Sequence, residues 1–465
     1  MNRSRKTLSW AMAILLLISV TAGCAKNTTK ETSMETPQAS SATETETPQA
    51  TEEPKKDFTL KFAISAKSAT SDENVKLMEL ASERAGVKVE PLVLAGEGVE
   101  FDQKLMLSLM AGEGIDIIYT NNASILKYIA SKTAAPLEDL AAESSYDMDK
   151  VFGKYLKKDE GRVYGLPAFV DIWITLYNKK LFDDAKIPYP TASDWTWNKY
   201  VETAKKLTDA SKGIYGSYML DYDVYNYMRA KQLKVKEYKD DGTSNFDDPA
   251  YAESMKFFYD LGNAHKVQPD FLTFKSKKLA WDGFTNGQYA MHVNGGWSIG
   301  LMSDPKAWPR DWKFGLLPMP SVDGAKKSTL SVTGMYVIPS TSKHKKEAFA
   351  AITAMAEKQY TLGSGRIPAR VDLTDEEIAA FITNNLAKPY ANDGVTVEDF
   401  KAAFFNKDQD VVDEKMIGPG STKINQAFIS EGELYGLGQK TLEDAMKAIK
   451  EKADTAIKEE KEAGQ

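Results

Sequence analysis

Aromatic and acidic side chains that could hold a polar ligand stand at two points of the chain. Trp297 follows Gly295 and Gly296, and two glycines let the backbone turn sharply and present the indole to a cleft. Asp171 comes just before an apolar stretch, and Trp173 lies two residues further along the same face of a predicted strand. A flat ring beside hydrogen-bonding groups suits a ligand with C–H faces and many hydroxyls. A core position for Trp297 and a hinge salt bridge for Asp171 are the alternatives.

A run of regularly spaced tyrosines forms a second candidate region. Tyr215, Tyr218, Tyr222 and Tyr225 are separated by three or four residues, which predicts one face of a helix. Such a stripe is more often part of a core than a ligand platform. Asp223 adds a carboxylate to the same segment, so Tyr222 and Asp223 are kept as candidate ligand contacts.

Catalytic and metal-binding patterns are incomplete. Residues 296–300 fit the nucleophile-elbow pattern G-x-S-x-G and follow a predicted strand. No HGGG motif precedes Ser298, and the histidine that follows it, His344, lies in a lysine-rich run, so a hydrolase triad is not specified. A single cysteine excludes a disulfide framework and a thiolate metal cluster within one chain, and the three scattered histidines show no zinc-ligand spacing, so a metal could be held only through carboxylates. We expect no catalytic residues, no metal and no cofactor.

Length and charge limit the classes of protein that the chain can belong to. With 465 residues it is too long for one compact core, which predicts two lobes. Lys plus Arg number 59 against 66 Asp plus Glu, and this acidic balance argues against nucleic acid as the main partner.

The N-terminal residues predict export and a lipid anchor. Basic residues precede an apolar run over residues 8–22, which is too short to span a bilayer and is typical of a signal peptide over residues 1–23. Thr21-Ala22-Gly23-Cys24 resembles the bacterial lipobox, which implies that Cys24 is lipidated and becomes the mature N-terminus. An ordinary signal peptide with an incidental cysteine is the alternative. Residues 24–56 are rich in Ser, Thr, Glu and Pro and predict a disordered tether.

Alternating periodicities predict an α/β fold. Strands over residues 59–64, 87–90 and 115–119 are separated by two helical stripes, which gives the order β-α-β-α-β. Right-handed crossovers then build a mostly parallel sheet whose ligands bind beyond the carboxyl ends of its strands. Asn121 and Asn122 lie at such an end. Further along, residues 172–178 predict a long strand that crosses between the lobes.

Several motifs recur in a fixed order along the rest of the chain. They are Gly165-Leu166-Pro167, Leu176-Tyr177-Asn178-Lys179, Trp281-Asp282-Gly283-Phe284, Gly287-Gln288-Tyr289-Ala290-Met291, Gly295-Gly296-Trp297, Leu317-Pro318-Met319-Pro320 and Gly365-Arg366-Ile367-Pro368. Together they resemble the extracellular solute-binding proteins of family 1, the carbohydrate-capturing lipoproteins of ATP-driven importers, which are related in fold to maltodextrin-binding protein.

The resemblance implies a two-lobe periplasmic-binding-protein-like fold, in which each lobe is a mostly parallel sheet flanked by helices and the ligand cleft lies between the lobes. One lobe would comprise residues 57–168 and 320–365, and the other residues 169–319 and 366–465.

Site residues follow from the resemblance as well. Trp297 matches a tryptophan that stacks on sugar, and Asp171 matches an acidic residue that accepts hydroxyl hydrogen bonds. The guanidinium of Arg366 suits a carboxylate or uronic acid substituent, and a salt bridge between the lobes is its alternative role. The candidate ligand-binding residues are therefore Trp297, Asp171, Trp173, Asn121, Asn122, Tyr222, Asp223, Trp281 and Arg366.

The function implied is capture of a saccharide, in particular an oligosaccharide, and its delivery to the permease of an ABC transporter. The protein would be a monomer at the extracellular face of the bacterial cell membrane, held there through its lipid alone. Two alternatives stay open: a secreted polysaccharide-active hydrolase, and a receptor for a non-sugar ligand such as a peptide or a polyamine.

Overall fold

The computed structural model describes residues 57–96, 99–219, 222–280, 282–304, 306–362 and 366–463. The predicted signal peptide, the tether, Cys24 and Trp281 lie outside these described residues. The predictions made for them from the sequence therefore stay predictions.

Segments with strand-like patterns form strands; the first and third are displaced by one or two residues, and the second and the crossing strand are longer than predicted. The segment predicted to cross between the lobes over 172–178 is the second half of a strand of 14 residues. The strands are β1 (Leu60–Ser65), β2 (Val89–Leu94), β3 (Ile117–Asn121), β4 (Lys158–Asp159), β5 (Arg162–Val163), β6 (Gly165–Asn178), β7 (Met291–Gly295), β8 (Phe314–Pro318), β9 (Ser328–Val337) and β10 (Asp410–Asp413).

The sheet begins with parallel strands, as predicted. β1 lies between β2 and β3 and runs parallel to both. β9 is antiparallel to β3 on one side and to β6 on the other, and β10 is parallel to β9. β6 also pairs antiparallel with β7 and β8, so the sheet is mixed beyond β3. The α/β class is confirmed.

Helices flank the sheet. They are α1 (Ala66–Ala69), α2 (Asp72–Ala85), α3 (Val99–Ala111), α4 (Ile125–Ala130), α5 (Glu138–Glu143), α6 (Met148–Phe152), α7 (Lys179–Asp184), α8 (Trp197–Leu207), α9 (Met228–Gln232), α10 (Pro249–Asn263), α11 (Phe271–Lys277), α12 (Lys345–Lys358), α13 (Asp375–Phe381), α14 (Val397–Phe404), α15 (Ser421–Gly436) and α16 (Leu442–Ala463). None of these described helices combines the length and the apolar character that a membrane crossing requires.

α2 shows how local sequence fixes a helix that borders the later site. The hydroxyl of Ser71 accepts a hydrogen bond from the backbone N–H of Asn74 and caps the first turn. Gly86 ends the helix in the left-handed conformation with φ 65°, as its position in the sequence predicts. Leu77 and Met78 face the core, which leaves the polar face free for other contacts.

The segment with the four tyrosines is not a helix, so that prediction is wrong. The backbone N–H groups of Tyr215 and Tyr218 donate to the carbonyls of Gln288 and Met291, in and just before β7, instead of to carbonyls one helical turn back. A single 3₁₀ turn, Asp223–Asn226, is the helical part. Contacts with a segment distant in sequence have overridden the local spacing.

Buried apolar side chains of the described residues form three clusters, and the two that share the same stretches of chain are taken together as the first core. The first core uses residues between 60 and 169 and between 335 and 356. The second core uses mainly residues between 170 and 330 and between 367 and 457. β6 and β9 contribute to both cores, so these two strands join them.

Candidate ligand-binding site

A cavity of about 510 Å³ lies between elements of the first and the second core. α2 borders it from the first core, while the segment after β7 and α14 border it from the second. Its volume falls within the range of roughly 300 to 1,000 Å³ that small-molecule sites occupy. Prominent lining residues are Glu73, Asp171, Trp297, Arg366, Tyr390 and Phe404.

Trp297 supplies the exposed aromatic face of this cavity. β7 ends at Gly295, and the 3₁₀ helix Gly296–Met302 follows without a break. The indole folds back over Gly295 so closely that a Cβ on that residue would lie 1.9 Å from the ring atom Cζ3. Glycine at 295 is therefore required by the position of the ring. The residue keeps 37% of its surface exposed.

Two further aromatic rings support Trp297 from behind. The Trp173 ring meets it edge to face at a centroid distance of 6.4 Å, and the Tyr222 ring lies 5.8 Å away. Trp173 has no exposed surface, because these rings and that of Tyr225 surround it. The structure thus brings Trp173 next to Trp297 but does not bring it to the cavity surface.

The rings of Trp297, Trp173 and Tyr222 form an aromatic wall, and a buried carboxylate holds two of them in place. Glu414, which follows β10, accepts hydrogen bonds from Nε1 of Trp173 at 2.7 Å and from the hydroxyl of Tyr222 at 2.8 Å. Burial raises the pKa of the Glu414 carboxyl, and its hydrogen-bond donors oppose that shift. The sequence analysis missed Glu414, because no motif or spacing connects it with residues some 200 positions earlier.

Asp223 is held by protein donors. Nζ of Lys415 contacts its two carboxylate oxygens at 2.7 and 2.9 Å and lies 4.3 Å from the centre of the Tyr222 ring. Nδ2 of Asn425 also donates to Asp223. Tyr222 and Asp223 line a separate cavity of about 280 Å³ rather than the one beneath Trp297.

Asp171 borders the main cavity from β6. None of the described residues places an N–H or O–H donor within hydrogen-bond distance of its carboxylate. Burial raises the pKa of Asp171 to about 6, and the nearby guanidinium of Arg366 opposes the shift. A partly buried carboxylate without a protein donor is an open acceptor for a ligand.

Arg366 forms an ion pair inside the cavity instead of projecting freely into it. Its Nε lies 3.4 Å from Oε1 of Glu73 on α2, and its guanidinium sits 4.0 Å from the centre of the Phe169 ring. Glu73 lies on α2, whose buried side chains belong to the first core, and Phe169 belongs to that core as well, so both of these contacts of Arg366 are with elements of the first core. The structure therefore shows Arg366 in a salt bridge to Glu73, while a salt bridge between the lobes stays a prediction.

The two asparagines at the end of β3, Asn121 and Asn122, serve local structure. Oδ1 of Asn121 accepts from the backbone N–H groups of Ala123 and Ser124, which closes the turn before α4. Nδ2 of Asn122 donates to Asp413, and its Oδ1 accepts from the backbone N–H of Thr333. The structure therefore does not bring these side chains to the main cavity.

The serine of the nucleophile-elbow pattern is sealed in the interior. Ser298 has no exposed surface, and its Oγ has no hydrogen-bond partner among the described residues. His292 is buried as well: its Nδ1 lies 2.7 Å from the carbonyl oxygen of Tyr218, and burial lowers its pKa to about 4. This geometry offers Ser298 neither a base nor access to a substrate.

The two acidic residues of β10, which lie outside the cavity, form ion pairs with lysines. Asp410 contacts Lys234 and Lys326, and Asp413 contacts Lys157. Within the described part of the chain, no group of three or more His, Cys, Asp or Glu residues is placed to hold a metal ion.

Sequence reasoning also missed part of the cavity wall. Glu73 is one of several acidic residues on the polar face of α2, and nothing in its spacing sets it apart. Phe400 and Phe404 repeat at helical spacing on α14, which is equally typical of core residues. Only the fold reveals that their helix ends beside Trp297.

The chain belongs to the family of bacterial extracellular solute-binding proteins, because the profile of that family matches residues 68–361. A binding protein of Brucella abortus (strain 2308) is 24% identical over 300 residues, covering 60% of this chain and 70% of the relative. The maltotriose-binding protein of Pyrococcus abyssi (strain GE5 / Orsay) is 23% identical over 291 residues, covering 60% of each chain.

Solved structures confirm the two-lobe fold class. A sugar transporter protein from Rhizobium etli, crystallised in an open conformation, superposes with a TM-score of 0.71 and 22% sequence identity. The match covers 85% of this chain and 99% of that one. The resemblance inferred from the ordered motifs is therefore confirmed at the level of family and fold.

Proposed function

We propose that this protein captures a saccharide, in particular an oligosaccharide, in the cavity between its two lobes. The observation that carries the proposal is the half-exposed indole of Trp297 in the same cavity as the unpaired carboxylate of Asp171. A pyranose offers a C–H face to the ring and hydroxyl donors to the carboxylate. The name of the maltotriose-binding relative supports the same class of ligand.

Two lobes joined by β6 and β9 would close around the ligand. The two cores support two lobes, with the crossing point within β9 rather than at residue 320, because Leu330 packs in the second core and Tyr336 in the first. A ligand that contacts both lobes favours the closed state by its differential affinity for that state.

Delivery to an ABC permease and attachment through Cys24 complete the proposed role. Family membership supports the first part, and the lipobox-like sequence supports the second. A Cys24→Ser protein should leave the membrane fraction of its host. If that variant stays firmly bound to membranes, the anchor must lie elsewhere.

A thermal-shift screen tests the binding function. The probes are maltotriose, cellotriose, mannotriose, galactotriose and the glucosamine trimer, with a tripeptide and spermidine to represent the non-sugar alternatives. A ligand at 100 times its dissociation constant stabilises a protein by about 2.7 kcal/mol, which is readily measured as a rise in melting temperature. We expect at least one saccharide to give this rise. A response to the tripeptide or spermidine alone would contradict the proposal.

We also propose that the bound saccharide is released intact. The buried Ser298 without a base supports this, and so do relatives that are named as binding proteins. Mass spectrometry of each saccharide after incubation should return unchanged masses. Cleavage that disappears in a Ser298→Ala variant would instead establish a hydrolase.

A further inference from the structure

The described residues that line the main cavity include few charged groups, and more of these groups are negative than positive. Of the described residues that line it, Glu73, Asp171 and Arg366 carry a charge at neutral pH. Residues 363–365, next to Arg366 in sequence, are Gly, Ser and Gly and add none. Two carboxylates against one guanidinium leave the lining with a net charge of −1.

Arg366, the cation among the described lining residues, already has partners within the protein. Nε of Arg366 lies 3.4 Å from Oε1 of Glu73, while the flat guanidinium covers the Phe169 ring at 4.0 Å. A carboxylated ligand would have to compete with Glu73 for this group. Arg366 therefore does not offer the free, bidentate fork that recognition of a carboxylate usually employs.

Glu73 is itself held in place. Nε2 of Gln359 donates a hydrogen bond of 2.8 Å to Oε1 of Glu73, the oxygen that also faces Arg366. Gln359 in turn accepts a hydrogen bond from the buried hydroxyl of Tyr336. The carboxylate that neutralises Arg366 is thus anchored in the first core and cannot easily swing away.

The remaining charge is the carboxylate of Asp171. No described donor satisfies it, and the hydroxyl of the neighbouring Tyr119 is neutral at neutral pH. Hydroxyl or ammonium donors of a ligand would be attracted to Asp171. A second carboxylate brought beside it would be repelled, and more strongly at this partly buried position than in bulk water.

We propose that this cavity selects its saccharide by charge, accepting uncharged or amino-bearing sugars and excluding carboxylated ones, with Asp171 as the residue that determines this specificity. The inference rests on the proposed function, because it concerns the same cavity. It also means that Arg366 does not bind the carboxylate of a uronic acid, which is one of the roles considered for it from the sequence.

Isothermal titration with matched ligands tests the charge selection. The neutral trisaccharide that binds most tightly in the screen is compared with the trimer of the corresponding uronic acid and the trimer of the corresponding 2-amino sugar. We expect the uronic acid trimer to bind at least about tenfold more weakly than the neutral one. The amino trimer should bind at least as tightly as the neutral one.

Two isosteric substitutions and one control then assign the effect. Asp171→Asn should reduce the preference for the neutral trimer over the uronic acid trimer by about tenfold. Adding Glu73→Gln should raise the affinity for the uronic acid trimer further, because Arg366 then loses its ion pair with Glu73. Glu79→Gln removes the same charge from an exposed position on α2 and should change neither affinity. Melting curves confirm that each variant is folded, and Asp171→Asn alone decides the question if the double variant is not.

The outcomes separate the two proposals. If no saccharide binds, the proposed function fails and this inference fails with it. If saccharides bind but the neutral and uronic acid trimers bind equally, or if the preference survives in Asp171→Asn, the function stands and charge selection by Asp171 is wrong.

Discussion

Two pairs of side chains each combine an indole with a carboxylate but differ in burial and hydrogen bonding. They are Trp173 with Glu414, and Trp297 with Asp171. In the first pair the indole is fully buried and its N–H is bound to the carboxylate. In the second the indole is partly exposed, and the carboxylate has no described donor. The two indoles touch edge to face, so one rigid wall carries both pairs. Groups that are satisfied by the protein build the wall, and only unsatisfied groups are available to a ligand.

The largest expected effect is a loss of protein stability when the buried indole of Trp173 is removed. Trp173→Ala should lower the free energy of unfolding by about 3 to 5 kcal/mol, because it opens a cavity and removes a hydrogen bond from Glu414. Urea denaturation measures this loss. Trp173→Phe keeps most of the ring and should cost less than Trp173→Ala. An unchanged urea midpoint for Trp173→Ala would show that the buried wall contributes little to stability.

Trp297→Ala should have the opposite profile. Loss of stacking should weaken saccharide binding by about 10- to 100-fold, by analogy with the roughly 1 to 3 kcal/mol per base measured for stacking on aromatic side chains. Stability should change little, since the ring is partly exposed. Tyr189→Ala is the matched control, because Tyr189 is 41% exposed and does not line the cavity. Strong destabilisation of Trp297→Ala with unchanged affinity would make Trp297 a second structural residue.

A smaller effect should follow from loosening the wall. Tyr222→Phe removes the hydroxyl that donates to Glu414 and should cost about 1 kcal/mol of stability. Tyr189→Phe removes a comparable hydrogen bond to the exposed Asp183 and should cost less. Thermal melting of both variants gives the comparison. Equal losses would indicate that burial of the Glu414 network adds nothing.

The smallest expected effect is a pH dependence of affinity. The pKa of Asp171 is about 6 without ligand, and donors from a saccharide favour its ionised form, so binding should lower that pKa. Affinity should therefore rise with pH through about 6 and fall in acid by a few-fold. Titrations at about pH 5 and pH 7 should show this slope in the wild type and lose it in Asp171→Asn. A slope that persists in the variant would assign it to another group.

Parts of the molecule governed by local sequence could be predicted. The alternation of β1, α2, β2, α3 and β3 follows from hydrophobic periodicity, and the end of α2 follows from Gly86. The tyrosine-rich segment could not be predicted in the same way. Its backbone hydrogen bonds go to residues 288 and 291, about 70 positions away, and the spacing of its side chains carries no sign of this.

The residues of the site also divide into those that the sequence could predict and those that it could not. Trp297, Asp171 and Arg366 carry local signals or family motifs, and the fold brings them to one cavity. Glu73 and Glu414 carry none, because each acts through a partner far away in sequence: 241 positions separate Trp173 from Glu414. Which carboxylates are neutralised and which stay open depends on such pairs, and this distinction determines the proposed charge selection.

The most direct measurement is a crystal structure of the protein with the tightest-binding saccharide of the screen. A pyranose ring should lie on the Trp297 indole at van der Waals distance, within about 4 Å, with a hydroxyl donating to Asp171. Trp173 should stay covered and bound to Glu414, and Arg366 should stay paired with Glu73. A saccharide bound elsewhere, or one in the cavity that touches neither Trp297 nor Asp171, would contradict the central claim.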